Sequence, residues 1–276
     1  MNIDITKSTP IEGCKRVYSL NGKYKHQPKR ILCKYLPFKR LKASVDTKRS
    51  KIKLTFVTPN CWSDPFEVLF VDRKPAELEV ACFCVVDDDV TTNSAEAIWN
   101  AYPATRDKLI RVGYNSSTLF SLLDSYAEEK DVYFFIANIE YSMSREGLLD
   151  LHKRLSKESN KSSIEDYLSL MSNKREAFKY EHETRIFMVS NKTRSERTDV
   201  ELALDDSLIE KVTIAPIRPF AYDDPRKEIY KELCDTENKA YTIALRKFLP
   251  DIKVYRSTIY ELKNNEAEKV RYTALK

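Results

Sequence analysis

The sequence predicts an α+β domain with a mixed, mainly antiparallel sheet that can be split and is flanked by helices. Short apolar segments of strand length recur along the 276 residues, helical segments are inserted between them, and no regular βαβ spacing or internal repeat is found. No stretch of linker composition divides the chain. We therefore predict a polar basic arm over residues 1–28, a single domain over 29–262 and a polar tail over 263–276.

The pattern of apolar residues places the elements in order. Continuous or alternating apolar runs predict strands at residues 31–36, 52–57, 78–86, 109–114, 132–141, 184–190, 200–204, 211–215 and 252–260. Helical spacing predicts helices at 95–102, 117–128, 145–157, 164–178, 224–233 and 236–248. Ser163 is a suitable N-cap for the fourth of these helices, because Asp166 follows three residues later.

Composition excludes several classes of protein. Four glycines in the whole chain exclude a Walker loop and a GxGxxG fingerprint. No apolar run reaches the roughly 18 residues that a membrane span needs. The N-terminus lacks the apolar region of a signal peptide, so we expect a cytoplasmic location and no membrane partner. The six cysteines lack paired metal-ligand spacing, so we expect reduced thiols and no structural metal.

Residues 174–185, which read KREAFKYEHETR, are the most informative stretch of the chain. Because side chains alternate along a strand, Glu181, Glu183 and Arg185 are predicted to project from one face. That face belongs to a buried strand at the point where it reaches the surface, and sites commonly lie at such points. The same spacing also fits a solvated charge ladder in which Arg185 bridges the two acids.

The positive charge is concentrated near the N-terminus. Lys and Arg are dense between residues 7 and 53, acids are few there, and aromatic residues are interleaved. Such a stretch suits phosphates or nucleic acid. A solvated basic face is the alternative.

The order of short motifs resembles a family of bacterial and phage proteins catalogued as a domain of unknown function. The motifs are Lys34-Tyr35, an Asp-Pro-Phe-Glu box at 64–67, Cys-Phe-Cys at 82–84, Trp-x-x-Tyr at 99–102 and Tyr-Glu-x-Glu-x-Arg at 180–185. The chain departs from the family pattern where Cys84 replaces Ser, Phe178 replaces Trp and Ala101 replaces His.

At a looser level the layout is similar to mono-ADP-ribosyltransferases, and this implies NAD as a substrate and a defence or toxin-type effector. The resemblance implies that Glu183 is the catalytic carboxylate and Glu181 a second acid. The implied cofactor-binding residues are Lys34, Tyr35, Trp99, Tyr102 and Arg185, and the supporting residues are Asp64, Glu67 and Lys174. It also implies that Glu183→Gln abolishes NAD consumption and leaves thermal stability nearly intact.

Two other functions remain open at this level. A metal-dependent nuclease would use Asp64, Glu67, Glu181 and Glu183 as ligands of Mg²⁺ or Mn²⁺. A non-catalytic nucleic-acid-binding module of a phage-defence system would use the basic N-terminal third alone. The acceptor substrate and the oligomeric state are not predicted.

Overall fold

The computed structural model describes residues 5–28, 30–62, 66–71, 74–75, 78–87, 99, 108–157, 163–192, 196–216, 227–257 and 272–274. The strands are β1 (Thr9–Pro10), β2 (Val17–Ser19), β3 (Ile31–Pro37), β4 (Val45–Asp46), β5 (Lys51–Val57), β6 (Glu79–Asp87), β7 (Leu109–Asn115), β8 (Tyr133–Asn138), β9 (Glu140–Met143), β10 (Asn173–Arg175), β11 (Glu183–Ser190), β12 (Arg197–Ala203), β13 (Ile209–Ile214), β14 (Lys253–Ser257) and β15 (Tyr272–Ala274). The α-helices are α1 (Phe38–Ser44), α2 (Ser116–Lys130), α3 (Arg145–Lys157), α4 (Ile164–Leu170) and α5 (Lys227–Arg246). Short 3₁₀ turns lie at Leu20–Gly22, Pro59–Cys61 and Glu176–Glu181.

A mixed sheet of 13 strands forms the centre of the fold and confirms the predicted α+β class. Its main order is β1-β2-β8-β11-β6-β3-β7-β13-β14-β15, and β9 and β10 form a second sheet of two strands. Most pairs are antiparallel, while β2 with β8, β13 with β14 and β9 with β10 are parallel. The central strand β11 is buried along its whole length, as its sequence predicts.

The sheet branches at β6 and stays connected through this strand. β3 pairs with β6 at Cys33–Val86, whereas β5 meets β6 at Val57–Cys82 and continues to β12 and β4. Between these two points, Lys34 Nζ donates a hydrogen bond to the carbonyl oxygen of Cys84 at 2.8 Å. This contact satisfies a main-chain acceptor where the two branches separate.

Each face of the sheet has its own apolar core. The first core contains Ile186 and Met188 of β11 and is covered by α2. The second core contains Phe187 and Val189 and is covered by α4. Two-sided burial explains why β11 reads as a continuous apolar run. No helix among the described residues is long and apolar enough to cross a membrane.

Helix α4 ends earlier than its apolar spacing predicts. Ser163 caps it as expected and accepts a hydrogen bond from the main-chain N–H of Asp166 at 3.1 Å. At the other end, Ser172 Oγ donates to the carbonyl of Leu168 and Asn173 Nδ2 donates to the carbonyl of Ser169. These side chains bond carbonyls of the last turn, and the chain then enters β10, so the predicted helix to residue 178 is wrong.

Two further boundaries differ from the prediction. The predicted strand over 132–141 is divided into β8 and β9 at Ile139, whose N–H donates instead to the carbonyl of Glu183 at 2.9 Å. The two helices predicted at 224–233 and 236–248 form the single helix α5, because the residues between them contain no proline or glycine.

The described part of the N-terminal arm is fixed to the domain. β2 pairs in parallel with β8, and Val17 and Leu20 are fully buried. Asp124 Oδ1 of α2 accepts hydrogen bonds from the main-chain N–H groups of Lys15 and Arg16 at 2.9 and 2.6 Å. At the other terminus, β15 pairs with β14, so this part of the predicted polar tail is also ordered.

Asp124→Ala should lower the free energy of unfolding by about 2 kcal/mol, because two main-chain donors lose their acceptor at a buried position. Amide hydrogen exchange at Lys15 and Arg16 should accelerate. Glu128→Ala is the matched control, because Glu128 lies one turn further along α2 and pairs with the exposed amino group of Lys15. Equal losses of stability in the two variants, measured by urea unfolding, would contradict this account of the arm.

Candidate functional site

A buried ion network lies at the start of β11. It consists of Glu67, Lys174, Glu181, Glu183 and Arg185, all of which the sequence predicts as site residues. β11 supplies two members, β10 supplies Lys174, the 3₁₀ turn before β11 supplies Glu181, and a turn before β6 supplies Glu67. Three carboxylates and two cations leave one net negative charge.

Arg185 is the centre of the ion network and is only 1% exposed. Its guanidinium binds Glu183 through two hydrogen bonds, Nε to Oε1 at 2.8 Å and Nη2 to Oε2 at 3.0 Å. Nη2 also donates to Glu67 Oε2 at 3.1 Å, and Nη1 donates to the carbonyl of Met171 at 2.7 Å. The ring of Trp62 covers the guanidinium, with its centroid 4.0 Å from Cζ. Every nitrogen of the guanidinium therefore has a partner inside the protein.

Lys174 connects the three carboxylates. Its Nζ lies 2.8 Å from Glu67 Oε1, 2.5 Å from Glu181 Oε2 and 3.3 Å from Glu183 Oε2. Burial alone lowers the pKa of Lys174, but these carboxylates raise it above its ordinary value. The sequence suggested that Arg185 bridges Glu181 and Glu183 on a solvated ladder. The structure instead places Lys174 between them, away from solvent.

The two acids of the Glu-x-Glu motif have different environments. Burial raises the pKa of Glu183, but the opposing effects of Arg185, Lys174 and the Cys84 thiol bring it down to about 2. Glu181 has a side chain that is 24% exposed, and burial raises its pKa above the ordinary value although Lys174 opposes this. Glu183 is therefore an internal partner that is charged at neutral pH, whereas Glu181 is the acid that meets solvent.

An aromatic cluster lies beside the ion network on the same face of the sheet. Val86 is the cross-strand partner of Glu183, so their side chains share a face. Val86 packs with Tyr35 and Trp99, whose ring centroids are 4.7 Å apart, and Tyr180 packs against this group. We call Tyr35, Trp99 and Tyr180 the aromatic cluster. Two of the predicted aromatic residues thus adjoin the predicted acids.

Lys34 lies on the opposite face from the ion network. Its Nζ is 4.4 Å from the centroid of Phe83, whose partner on β11 is Ile186 of the first core. Alternation along β3 separates Lys34 from Tyr35, so the structure does not bring this lysine to the acids. Of the remaining predicted site residues, Asp64 and Tyr102 lie outside the described part of the chain.

The sequence did not identify the roles of Trp62 and Tyr141. The Tyr141 hydroxyl accepts a hydrogen bond from the main-chain N–H of Glu183 at 2.8 Å, where β8 ends and β9 begins. A single tryptophan in a turn and a tyrosine in a strand carry no periodic signal for such contacts.

Cysteine and acidic side chains give no metal centre in the ranges that the structure describes. No group of three or more His, Cys, Asp or Glu side chains there is arranged to hold a metal ion. Cys82 Sγ and Cys84 Sγ lie 3.7 Å apart, and all six cysteines are unbridged thiols.

Glu183→Gln should destabilise the protein by about 3 kcal/mol at pH 7, because the buried guanidinium loses a charged partner. The pKa of Glu183 is lowered in the folded protein, and this sets the direction in which the free energy of unfolding changes with pH. Stability from this carboxylate is present above its ordinary pKa of 4.5 and is lost as the pH falls toward about 2. Burial thus reverses the expectation, drawn from the resemblance, that this variant keeps its stability.

Urea unfolding of both proteins between pH 2 and 7 measures this difference. Glu181→Gln is the control, because this partly exposed acid contributes less and its raised pKa adds no stability at neutral pH. A Glu183→Gln variant that unfolds like the wild type throughout this range would contradict the network.

Comparisons of the chain with family models, with curated proteins and with solved structures return no match. The resemblance to the bacterial and phage family therefore stays a prediction that rests on the motifs quoted above.

Proposed function

We propose that the chain binds NAD at the start of β11 and cleaves its nicotinamide–ribose bond, as an ADP-ribosyltransferase-like or NAD-hydrolysing protein. One observation carries this proposal. Glu181, a partly exposed carboxylate, is held at 2.5 Å by a buried lysine, and Tyr180 links it directly in sequence to the aromatic cluster. A fixed acid beside aromatic rings suits a ligand that has a ribose and a flat cationic ring.

The structure supports a change in the roles of the two acids. Glu183 is engaged by Arg185 and Lys174 on both carboxylate oxygens, so we assign it a positioning role. Glu181 is the residue we assign to the substrate. Its carboxylate would accept a hydrogen bond from a ribose hydroxyl and stabilise the positive charge that develops on the sugar.

The bond changes balance without any further co-reactant. The bond between ribose C1′ and the pyridinium nitrogen breaks, and nicotinamide leaves as a neutral molecule with the electron pair. C1′ then forms a bond to a nucleophilic oxygen or nitrogen of water or of an acceptor side chain. The proton of that nucleophile passes to the Glu181 carboxylate or to solvent.

Glu181→Gln should reduce nicotinamide release from NAD at least ~100-fold, as expected when an acid that stabilises transition-state charge is lost. Chromatographic measurement of nicotinamide, with NAD binding followed by calorimetry, tests this. Glu176→Gln is the matched control, because it makes the same substitution at an exposed position of the same 3₁₀ turn. Wild-type protein that neither binds nor cleaves NAD, or equal activity in both variants, would overturn the proposal.

The metal-dependent nuclease is less well supported by this geometry. It needs Glu67, Glu181 and Glu183 as ligands, and their carboxylates are all within ion-pair distance of Lys174. A dication would have to displace that buried ammonium group.

A second candidate function, binding of nucleic acid, is favoured by a basic surface formed by the segment from α1 to β5. It spans α1, the turn after β4 and the exposed side of β5, and it consists of Lys39, Arg40, Lys42, Lys48, Arg49, Lys51 and Lys53, all of them exposed. Two acids offset part of this charge, Asp46 near Arg49 at 3.8 Å and Glu201 near Lys53 at 3.2 Å. The remaining excess of cations suits a phosphate backbone.

Replacing Arg40 and Lys42 by Gln should weaken the binding of single-stranded or duplex nucleic acid. The slope of log K against log salt should fall by about 0.9 for each duplex phosphate contact that is lost. The control replaces Lys153 and Arg154 of α3, which are exposed but belong to the helix that packs on the second core. Fluorescence anisotropy at several salt concentrations measures both. Equal losses in the two double variants would show that total charge, rather than this surface, controls binding.

A further inference from the structure

Helix α5 has two faces with different partners. One face is buried and includes Asn238, Thr242 and Leu245. Ile229, Leu233 and Ile243 are 64, 63 and 61% exposed, and they are the exposed large hydrophobic residues found in the described part of the chain. All three lie on one line along one helix, which distinguishes them from apolar residues scattered singly over a surface.

The exposed line has the spacing of a coiled-coil seam. Ile229, Leu233, Thr236, Ala240 and Ile243 are separated by four, three, four and three residues, and each is exposed. We call these five residues the heptad stripe. An alternation of four and three keeps side chains on one helix facing a second helix. The buried face of α5 makes the contacts of this helix with the core, so the heptad stripe is a second, exposed face.

We propose that the heptad stripe binds the same stripe of a second copy of this chain, with the two α5 helices antiparallel. The charges beside the stripe support this choice of partner. Glu232 and Lys239 are exposed, lie seven residues apart on the same flank, and carry opposite charges. In an antiparallel pair, positions on that flank face each other, and a two-fold axis makes each contact twice.

One register satisfies both the packing and the charges. When Leu233 of one helix lies opposite Thr236 of the other, Ile229 lies opposite Ala240, so that large side chains meet small ones. The same register places Glu232 opposite Lys239 of the second copy, at both ends of the contact. Opposite charges at these flanking positions set the partner and orientation of paired helices.

A parallel arrangement is disfavoured by the same residues. It would place Glu232 of one copy near Glu237 of the other, and like charges there oppose association. Glu237 is already engaged by Lys108 of its own chain, with a distance of 2.9 Å between Nζ and Oε2. Both members of the favourable pair, Glu232 and Lys239, are present in every copy, so no other protein is required.

The contact is small. The 20 residues of α5 span about 30 Å, and one helix stripe buries less than the ~800 Å² per partner of a standard interface. We therefore expect a reversible dimer with a dissociation constant in the micromolar range. Sedimentation velocity of the full chain from about 1 to 500 μM measures it over the concentrations at which such an interface is half occupied.

Charge exchange provides the decisive test. Glu232→Lys places lysines opposite Lys239, and Lys239→Glu places glutamates opposite Glu232, so each variant alone should dimerise at least ~10-fold more weakly. An equimolar mixture of the two variants should recover the wild-type affinity, because one copy then has two lysines and the other two glutamates. Glu176→Lys, an exposed change outside α5, is the control and should leave the dissociation constant unchanged.

Three results would overturn the proposal. The wild type could stay monomeric throughout the concentration range, the dimer could persist in Leu233→Glu with unchanged affinity, or the mixture of charge variants could fail to recover the dimer. Thermal unfolding of each variant, which should match the wild type at these exposed positions, separates lost association from lost folding.

Discussion

The pairing of Arg185 with Glu183 inside the sheet is the constraint on which the site depends. A guanidinium at this position must find partners for all its donors, because water does not reach it. Glu183 supplies two acceptor oxygens from the same strand, and the carbonyl of Met171 supplies another. The requirement for the Met171 carbonyl also explains why the chain leaves α4 where it does. A longer helix would have used that carbonyl in its own ladder.

Lys174 connects the buried pair to the partly exposed acid, because its amino group contacts both Glu183 and Glu181. It is placed by β10, a strand of three residues that exists because α4 stops and the chain pairs with β9. Its amino group then holds Glu181 at the open side of the ion network. The geometry of the exposed acid is therefore set by a buried pair on the neighbouring strand. The pKa values of these two glutamates move in opposite directions, because only Glu183 adjoins the guanidinium.

Local periodicity predicts much of the fold and only part of the site. The alternation of β11 predicts that Glu183 and Arg185 share a face, and the apolar run predicts that the strand is interior, both of which the structure confirms. Alternation also separates Lys34 from Tyr35, and the motif-based grouping of these two neighbours ignored it. The order of motifs indicates which segments contribute to the candidate site, but the direction of each side chain follows from strand geometry.

Contacts between distant segments explain the remaining errors. The N-terminal segment has little apolar content, so its order depends on Asp124, more than 100 residues away in the sequence. The end of α4 depends on hydrogen bonds from Ser172 and Asn173 that compete with the helical spacing around them. A pattern taken over a few neighbouring residues does not show that Asp124 is the acceptor for the N-terminal segment. It also does not show that side-chain hydrogen bonds outcompete the helical spacing at the end of α4.

The charge content of the ion network bears on whether it serves stability alone. Apolar residues of similar volume often replace a buried ionic cluster with no loss of stability, because the removal of charges from water opposes their attraction. Phe187 and Val189 lie further along the same face of β11 as ordinary core residues, so apolar side chains can occupy this face of the strand. Stability alone therefore does not require five charged groups here. The arrangement does hold a carboxylate at a fixed position beside the aromatic cluster, and this supports the proposal that Glu181 is the residue that meets a ligand.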